Sequence, residues 1–367
     1  MAIGLWLLVG SAGAGCSLVT SFEGFGCDGP CLDAAASDGG AVEAAADGSD
    51  DCTHTRWPPP PSGTTDTTEL TAITAVAALA AFGDLDGGDA AIGYDLDGVC
   101  TCPAPGSCRN ATTDAATCDE PGSGRDFAFR TTLLRLQPYG LSFDDNGLNR
   151  GLRSGQYGLV FRLDEYNGKA DDGQVSFAIY DAIGVEGFEA GAQPTYDGND
   201  TWTLDVDSIR GGLGTLPNYV DHAAYVTGGV LVANLDVVLD VIVYTGASAL
   251  ILPLDVRAAH VTARIRSVPG GFALDDGLLA GRVMLSSLFR VSAALGYCPG
   301  SAVYEAFRPL LCGAADVNHD PAHDLAGDAP CDGLSSVLAF RTVPAKIGSV
   351  AKRAPLLVAC ADAGDCP

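Results

Sequence analysis

Cysteine in this chain is confined to two flanks, and that distribution constrains the fold more than any other feature. Thirteen cysteines stand at positions 16, 27, 31, 52, 100, 102, 108, 118, 298, 312, 331, 360 and 366, and none lies between residues 125 and 297. A stretch of about 170 residues can bury enough apolar surface to hold itself together. The middle therefore reads as a self-sufficient core and the flanks as stapled additions. With Cys16 set aside, seven cysteines precede the core and five follow it. If all of these pair within the chain, an odd number of bridges must join the two flanks, which brings both ends of the core together. Cytosolic thiols are kept reduced, so this usage points to an oxidising compartment. Metal knuckles are the competing use, but C-x-C, C-x5-C, C-x9-C and C-x3-C are not the paired C-x2-4-C of zinc sites.

Within 125–297 the dominant pattern is alternation. Tyr157, Leu159, Phe161 and Leu163 share one strand face; Val175, Phe177 and Ile179 share another. Trp202, Leu204 and Val206 alternate with Thr203, Asp205 and Asp207. Val261, Ala263 and Ile265 alternate with Thr262, Arg264 and Arg266. Val237 to Tyr244 and Ala249 to Leu254 are nearly continuous apolar runs, as in strands covered on both faces. Turn pairs recur between them: Asn167-Gly168, Asp197-Gly198, Gly228-Gly229 and Pro269-Gly270. Short strands at this spacing without a βαβ rhythm predict a mainly β fold, an antiparallel sandwich or jelly roll. A helical period follows at Leu285, Leu288, Phe289, Ser292 and Leu295. Ser301 then caps a second helix with Val303, Phe307, Leu310 and Leu311 inward.

Five segments follow from these patterns: an export signal over 1–15, a low-complexity tether over 16–65, a disulfide-rich segment over 66–124, the cysteine-free β domain over 125–297, and a disulfide-clamped helical cap and tail over 298–367. Residues 27–63 are Ala-, Asp- and Gly-rich and end in Trp57-Pro58-Pro59-Pro60-Pro61. Such composition buries little apolar area and favours a coil, with a reach on the order of 35 Å. Leu70 to Phe82 is apolar, and its period separates neither helix nor strand.

Cys16 follows the uncharged apolar run Ile3 to Val9 and the small residues Gly13-Ala14-Gly15. This resembles the lipobox of bacterial lipoproteins, although Gly13 stands where an aliphatic residue is usual. The resemblance implies lipidation of Cys16, and Ser17 after it implies an outer-membrane or cell-surface location. The alternative is ordinary secretion with cleavage after Ala14, which leaves Cys16 unpaired. A net charge of −26 repels phosphate backbones, which sets nucleic acid aside as a partner.

Two constellations could bind ligands. Asp316, Asn318 and Asp320, with Asp324 beyond, place oxygen side chains at the spacing that opens a calcium loop. Pro321 and Gly327 occupy positions where an EF-hand carries Gly and Glu, so a looser calcium loop is the expectation. His319 and His323 offer a second, transition-metal reading of the same loop. Tyr166, Asp171 and Asp172 at one turn, and Tyr196, Asp197 and Trp202 at another, place aromatics beside carboxylates, as saccharide sites do. No G-x-S-x-G, H-E-x-x-H or P-loop motif occurs. Taken whole, the lipobox, tether and disulfide-framed β domain resemble the disulfide-rich surface lipoproteins of GC-rich bacteria. The expectation is a lipid-anchored, non-catalytic envelope module binding a glycan, a protein partner or an ion. The alternative is a surface hydrolase that cleaves glycans with a carboxylate pair.

Overall fold

The structure is a computed structural model that describes residues 52–63, 72–86, 91–102, 106–109, 118–136, 145–212, 216–245, 248–325, 329–354, 360 and 364–366. Cys16, Cys27, Cys31, the segment 1–15 and most of 16–65 lie outside the described residues. Ten strands occur in chain order: β1 (Ile73–Phe82), β2 (Gly158–Asp164), β3 (Asp172–Val185), β4 (Thr201–Asp205), β5 (Tyr219–Thr227), β6 (Val230–Thr245), β7 (Ser248–Val268), β8 (Gly271–Met284), β9 (Gly333–Pro344) and β10 (Lys346–Ala351). Four helices join them: α1 (Ala128–Leu136), α2 (Asp145–Ser154), α3 (Leu285–Ala294) and α4 (Ala302–Ala314).

The fold is mainly β, and one mixed sheet carries all ten strands. Antiparallel pairings run β3–β2–β1–β9–β8–β7–β6–β5, and β5 pairs again with β3, so eight strands close a ring. The expected two-sheet sandwich or jelly roll is thus replaced by a single coiled sheet. The reason lies in the connections. Thr227 faces Val230 across Gly228-Gly229, and Val268 faces Gly271 across Pro269-Gly270. Both Gly228 and Gly229 take positive φ, the geometry of a tight hairpin. These two-residue turns pair β5 with β6 and β7 with β8 as sequence neighbours, whereas a jelly roll needs long crossovers.

The alternation read from the sequence sets inside from outside. Leu159, Phe161, Leu163, Val175, Phe177, Ile179, Val261 and Ala263 all join one buried cluster within the ring. Phe161 stacks on Phe340 with ring centroids 4.6 Å apart and on Phe177 at 6.1 Å. A Cβ on Gly277 would meet the Phe340 ring at 2.3 Å, so a small residue on β8 makes room for a large one on β9. Eight strands enclose an interior that side chains can fill.

The helices cover the end where β1, β6 and β8 finish and β7 and β9 begin. Asn149 of α2 accepts from the Ala80 N–H and donates to the Ala80 carbonyl, completing the β1 backbone beyond its last partner on β2. Ser301 caps α4 by accepting from the Tyr304 N–H, as expected. Helices α1 and α2, by contrast, fall inside the stretch read as purely β.

Two outer faces of the ring are covered. β3 bends at a bulge between Ala182 and Gly184, pairs with β4, and β4 pairs in parallel with β10. Trp202, Leu204 and Ile209 bury Val76, Val160, Ala178 and Tyr180 there. The N-terminal flank covers β8 and β9, where Tyr94 and Leu96 pack on Ala280 and Val337. The core is therefore not confined to 125–297. β1 lies in the N-terminal flank, and β9, in the segment read as cap and tail, fills the place between β1 and β8. Its run Leu334 to Phe340 is almost wholly buried, so it belongs to the sheet.

Residues 52–63 also depart from the tether reading. Trp57 stacks on His260 at 3.3 Å, Tyr225 donates to the Pro58 carbonyl at 2.6 Å, and Thr53 and Thr55 donate to the carbonyls of Gly122 and Ser123. One large ring and prolines whose φ is already fixed make this segment cheap to order.

Five disulfides join described cysteines: Cys52–Cys100, Cys102–Cys118, Cys108–Cys331, Cys298–Cys360 and Cys312–Cys366. Cys108–Cys331 joins the two flanks, the odd link that the cysteine count demands. Replacing both Cys108 and Cys331 by Ser is expected to cost about 2–5 kcal/mol in urea denaturation. Peptide mapping without reduction should recover the 108–331 pair from the native protein.

Candidate metal centre

Where the N-terminal flank meets the outer face of β8 and β9, the chain buries carboxylates in unusual number. Leu278, Ala280 and Arg282 point outward from β8, and Ser335 lies opposite Arg282 on β9. Over them fold the turn at 95–99 and the segment 118–126, stapled by Cys52–Cys100 and Cys102–Cys118. Asp95, Asp97, Asp119, Asp126 and Asp316 are all buried there.

Each carboxylate is aimed by local donors. Asp95 accepts from the Gly98 N–H at 2.6 Å, and His54 Nδ1 lies 2.5 Å from its other oxygen. Asp97 accepts from the Val99 N–H at 2.9 Å and from Ser107 Oγ at 2.5 Å. Asp126 accepts from the Leu96 N–H and Asp119 from the Thr101 N–H, both at 2.5 Å. Asp316 accepts from the Ser335 N–H at 2.8 Å and from the Ser335 hydroxyl. Gly124 makes the approach possible. At φ +63° it takes a left-handed conformation, and a Cβ there would meet Cys100 Sγ at 2.6 Å and Asp95 Oδ2 at 3.2 Å.

Oxygens of Asp95, Asp97 and Asp126 lie within 4.8 Å of one another. Oxygens that share one calcium ion at about 2.3–2.6 Å stand no farther apart than about twice that distance. Two backbone segments thus bring three carboxylates close enough to share one cation, with Asp119 and Asp316 beside them.

The charge balance is one-sided. Arg56, partly exposed, lies 3.9 Å from Asp95 beside His54, and Arg282, 1% exposed, is the fully buried cation of this region. Its guanidinium grips both oxygens of Asp324 and donates to the carbonyls of Asn318 and Leu96. It is therefore matched by Asp324, outside the group of five. Burial pushes the Asp97 carboxyl up to about 7 against its bonds to Ser107 and Val99, with the charges of Asp95 and Asp324 adding to the rise. Burial likewise pushes Asp119 up to about 8 and Asp316 to about 6. Asp126 rises well above the usual carboxylate range through burial and then through the charges of Asp97, Asp119 and Asp316. Like charges this close in a dry setting need protons or a cation between them.

The sequence-derived calcium loop is distributed over separate partners. Asp316 enters the buried group, and Asp324 pairs with Arg282. The Asn318 side chain donates to the Pro330 carbonyl and accepts from the Asp320 N–H. Asp320 caps the turn at Ala322 and faces His323 at 3.3 Å, while His319 pairs with Asp332 at 2.6 Å.

The two aromatic turns are also taken apart. Tyr166 is buried against Phe272 and donates to the Lys169 carbonyl. Asp172 accepts from the Asn167 N–H and Asp171 from the Gly228 N–H, which ties two neighbouring hairpins together. Trp202 is 0% exposed. Tyr196 and Asp197 alone among these six line a cleft, together with Arg266, Pro269 and Pro344. A further acidic group gathers on Arg353, which contacts Asp240 and lies 3.6 Å from Asp205. Neighbouring Asp181 is pushed up to about 7 by burial, with Arg353 opposing the rise. Both Asp181 and Asp205 are enclosed by protein.

Asp119, Asp126 and Arg282 escaped the sequence analysis. Asp95-Leu96-Asp97-Gly98 carried a visible signal, alternate acids before a glycine, but it reads equally well as a turn. No protein-family model, curated protein or solved structure matches the chain.

The Asp119 carboxyl has a testable sign. Its folded value, about 8, exceeds the ordinary 3.8, so between these values the folded state holds a proton that the unfolded chain has lost. Stability contributed by this group is therefore present at low pH and is lost as pH rises toward 8. In chelator, the urea midpoint should fall between pH 6 and pH 8, and Asp119→Asn should flatten that slope. An equally steep slope in the variant would assign it to other groups.

Proposed function

We propose that this chain is an exported module, held to the cell envelope by a lipid on Cys16, whose barrel binds a ligand and does not catalyse a reaction. The observation that supports export is the set of five disulfides framing both flanks, a pattern suited to an oxidising compartment. The composition of the roughly 35 residues between Cys16 and Cys52 supports reading them as a spacer. Cells expressing the protein should incorporate radiolabelled palmitate into it, and Cys16→Ser should abolish the label and release the protein into a soluble fraction. Label retained in the variant would refute the anchor.

Calcium is the proposed structural cofactor, at Asp95, Asp97 and Asp126 with Asp119 and Asp316 alongside. Five buried carboxylates beside a guanidinium already matched by Asp324 support it. Oxygen-only ligands select hard cations, and a dry site favours calcium over magnesium, which sheds its water reluctantly. Asn318, Asp320 and Asp324 would shape the loop that delivers Asp316. Calorimetric titration of chelator-treated protein should show calcium binding. At a free concentration about 100-fold above Kd the ion should add about 2.7 kcal/mol of stability. Asp97→Asn and Asp126→Asn should each abolish that gain. Identical melting temperatures with and without EDTA would exclude the site.

A further inference from the structure

The cleft that keeps Tyr196 and Asp197 lies where the loop before β4 folds over the ends of β7, β8 and β9. Its volume is about 160 Å³. Val268, Pro269, Pro344 and the Tyr196 ring supply apolar walls, while Asp197 and Arg266 bring one carboxylate and one guanidinium. We infer that this cleft is a saccharide site that takes a single sugar ring. The inference rests on the reading of the barrel as a binding module and names the ligand class.

Preorganisation is the first argument. Tyr196 is held at both ends: its N–H donates to Asp200 at 2.6 Å and its hydroxyl to the Leu152 carbonyl at 2.6 Å. The ring therefore offers a fixed face and has no hydroxyl to swing into the cleft. Asp200 also accepts from Thr195, and its carbonyl accepts from the Lys346 N–H at 2.9 Å, which fastens the loop to the start of β10. Asp197 is oriented by the Asn199 N–H at 2.9 Å. Arg266 is oriented by Asp275 through Nε, which leaves its two terminal nitrogens outside that bond. A site ordered before binding loses less entropy when the ligand arrives.

Charge chooses the ligand class. An anion would gain from Arg266 but meet Asp197 on a chain of net charge −26. A cation would find only the exposed carboxylate of Asp197, because Arg266 is already balanced by Asp275, and a lone surface carboxylate holds a cation weakly. What fits both groups is a neutral molecule with an apolar face and a rim of groups that donate and accept. A pyranose has that form: its C–H face lies on a ring or proline, and its hydroxyls donate to a carboxylate and accept from a guanidinium. Size limits the occupant to one ring, because sites for drug-sized ligands run to about 300–1,000 Å³. The opening leaves the rest of a glycan in solvent.

Saturation-transfer NMR with the full chain and the methyl glycosides of glucose, galactose, mannose and N-acetylglucosamine tests this. At least one should bind with Kd on the order of 1–10 mM. Arg266→Ala and Tyr196→Ala should each weaken it by about tenfold or more. Arg266→Ala should remain folded with at most a small fall in melting temperature, because Arg266 is exposed and its pair with Asp275 lies at the surface. No transfer from any of the four, or transfer that survives Arg266→Ala, overturns the inference. Transfer to glycylglycine with none to any of the four sugars overturns the ligand class. Palmitate labelling of Cys16 is unaffected by these outcomes, so failure of the sugar site is distinguishable from failure of the envelope reading.

Discussion

The insertion of β9 between β1 and β8 is the constraint on which the structure depends. A ring of antiparallel strands has no free edge only if its first and last members meet. Here the first strand begins at residue 73 and the closing strand ends at residue 344. Closure therefore gathers contacts from nearly the whole described chain, and long-range pairing of this kind is entropically expensive. The Cys108–Cys331 bridge spans the same gap in sequence, 223 residues, and reduces that entropy in the unfolded state. Once closed, the ring places the 95–99 turn and the 316–324 loop side by side. That adjacency brings Asp316, and Asp324 with its partner Arg282, up to the Asp95, Asp97 and Asp126 group.

The cluster shows how strongly the fold overrides ordinary preferences. Aspartate is among the residues least often buried without a partner. Arg56 and His54 face Asp95, and Arg282 is committed to Asp324, which leaves Asp97, Asp119, Asp126 and Asp316 to be balanced by bound protons or a bound ion. Arg282 has a different task. It clamps two loops through their carbonyls, and its bidentate grip on Asp324 satisfies its charge where water is excluded. Replacing it with an apolar residue would leave both loop carbonyls without that donor.

Strand positions in the core were legible because alternation is a local signal. Phe161 and Phe177 could be assigned to inward faces without knowing what lay opposite. Closure was not legible, since a meander and a sandwich share the same alternation and differ only in which distant edges meet. β9 was missed because its flanks carry cysteines, which drew it into the helical cap. The short helices α1 and α2 were missed because Arg, Asn and Gly interrupt their apolar stripes. At the site the sequence exposed Asp316, while Asp95 and Asp97 read only as turn residues before a glycine. It did not join them, because Asp126 and Asp119 become neighbours of Asp316 only through the sheet. Trp202 misled for a related reason: an aromatic beside an acidic turn resembles a binding face until a covering strand is known.

The strap formed by residues 52–63 has a mechanical consequence. A pull arriving from the N-terminal side meets the Cys52–Cys100 bond first, then the Thr53 and Thr55 hydrogen bonds and the stack of Trp57 on His260. The covalent bond diverts that load to residue 100 before it can reach β1. Force arriving from that side would thus be borne first by the stapled flank, which passes it to the start of β9 through Cys108–Cys331 and not to β1.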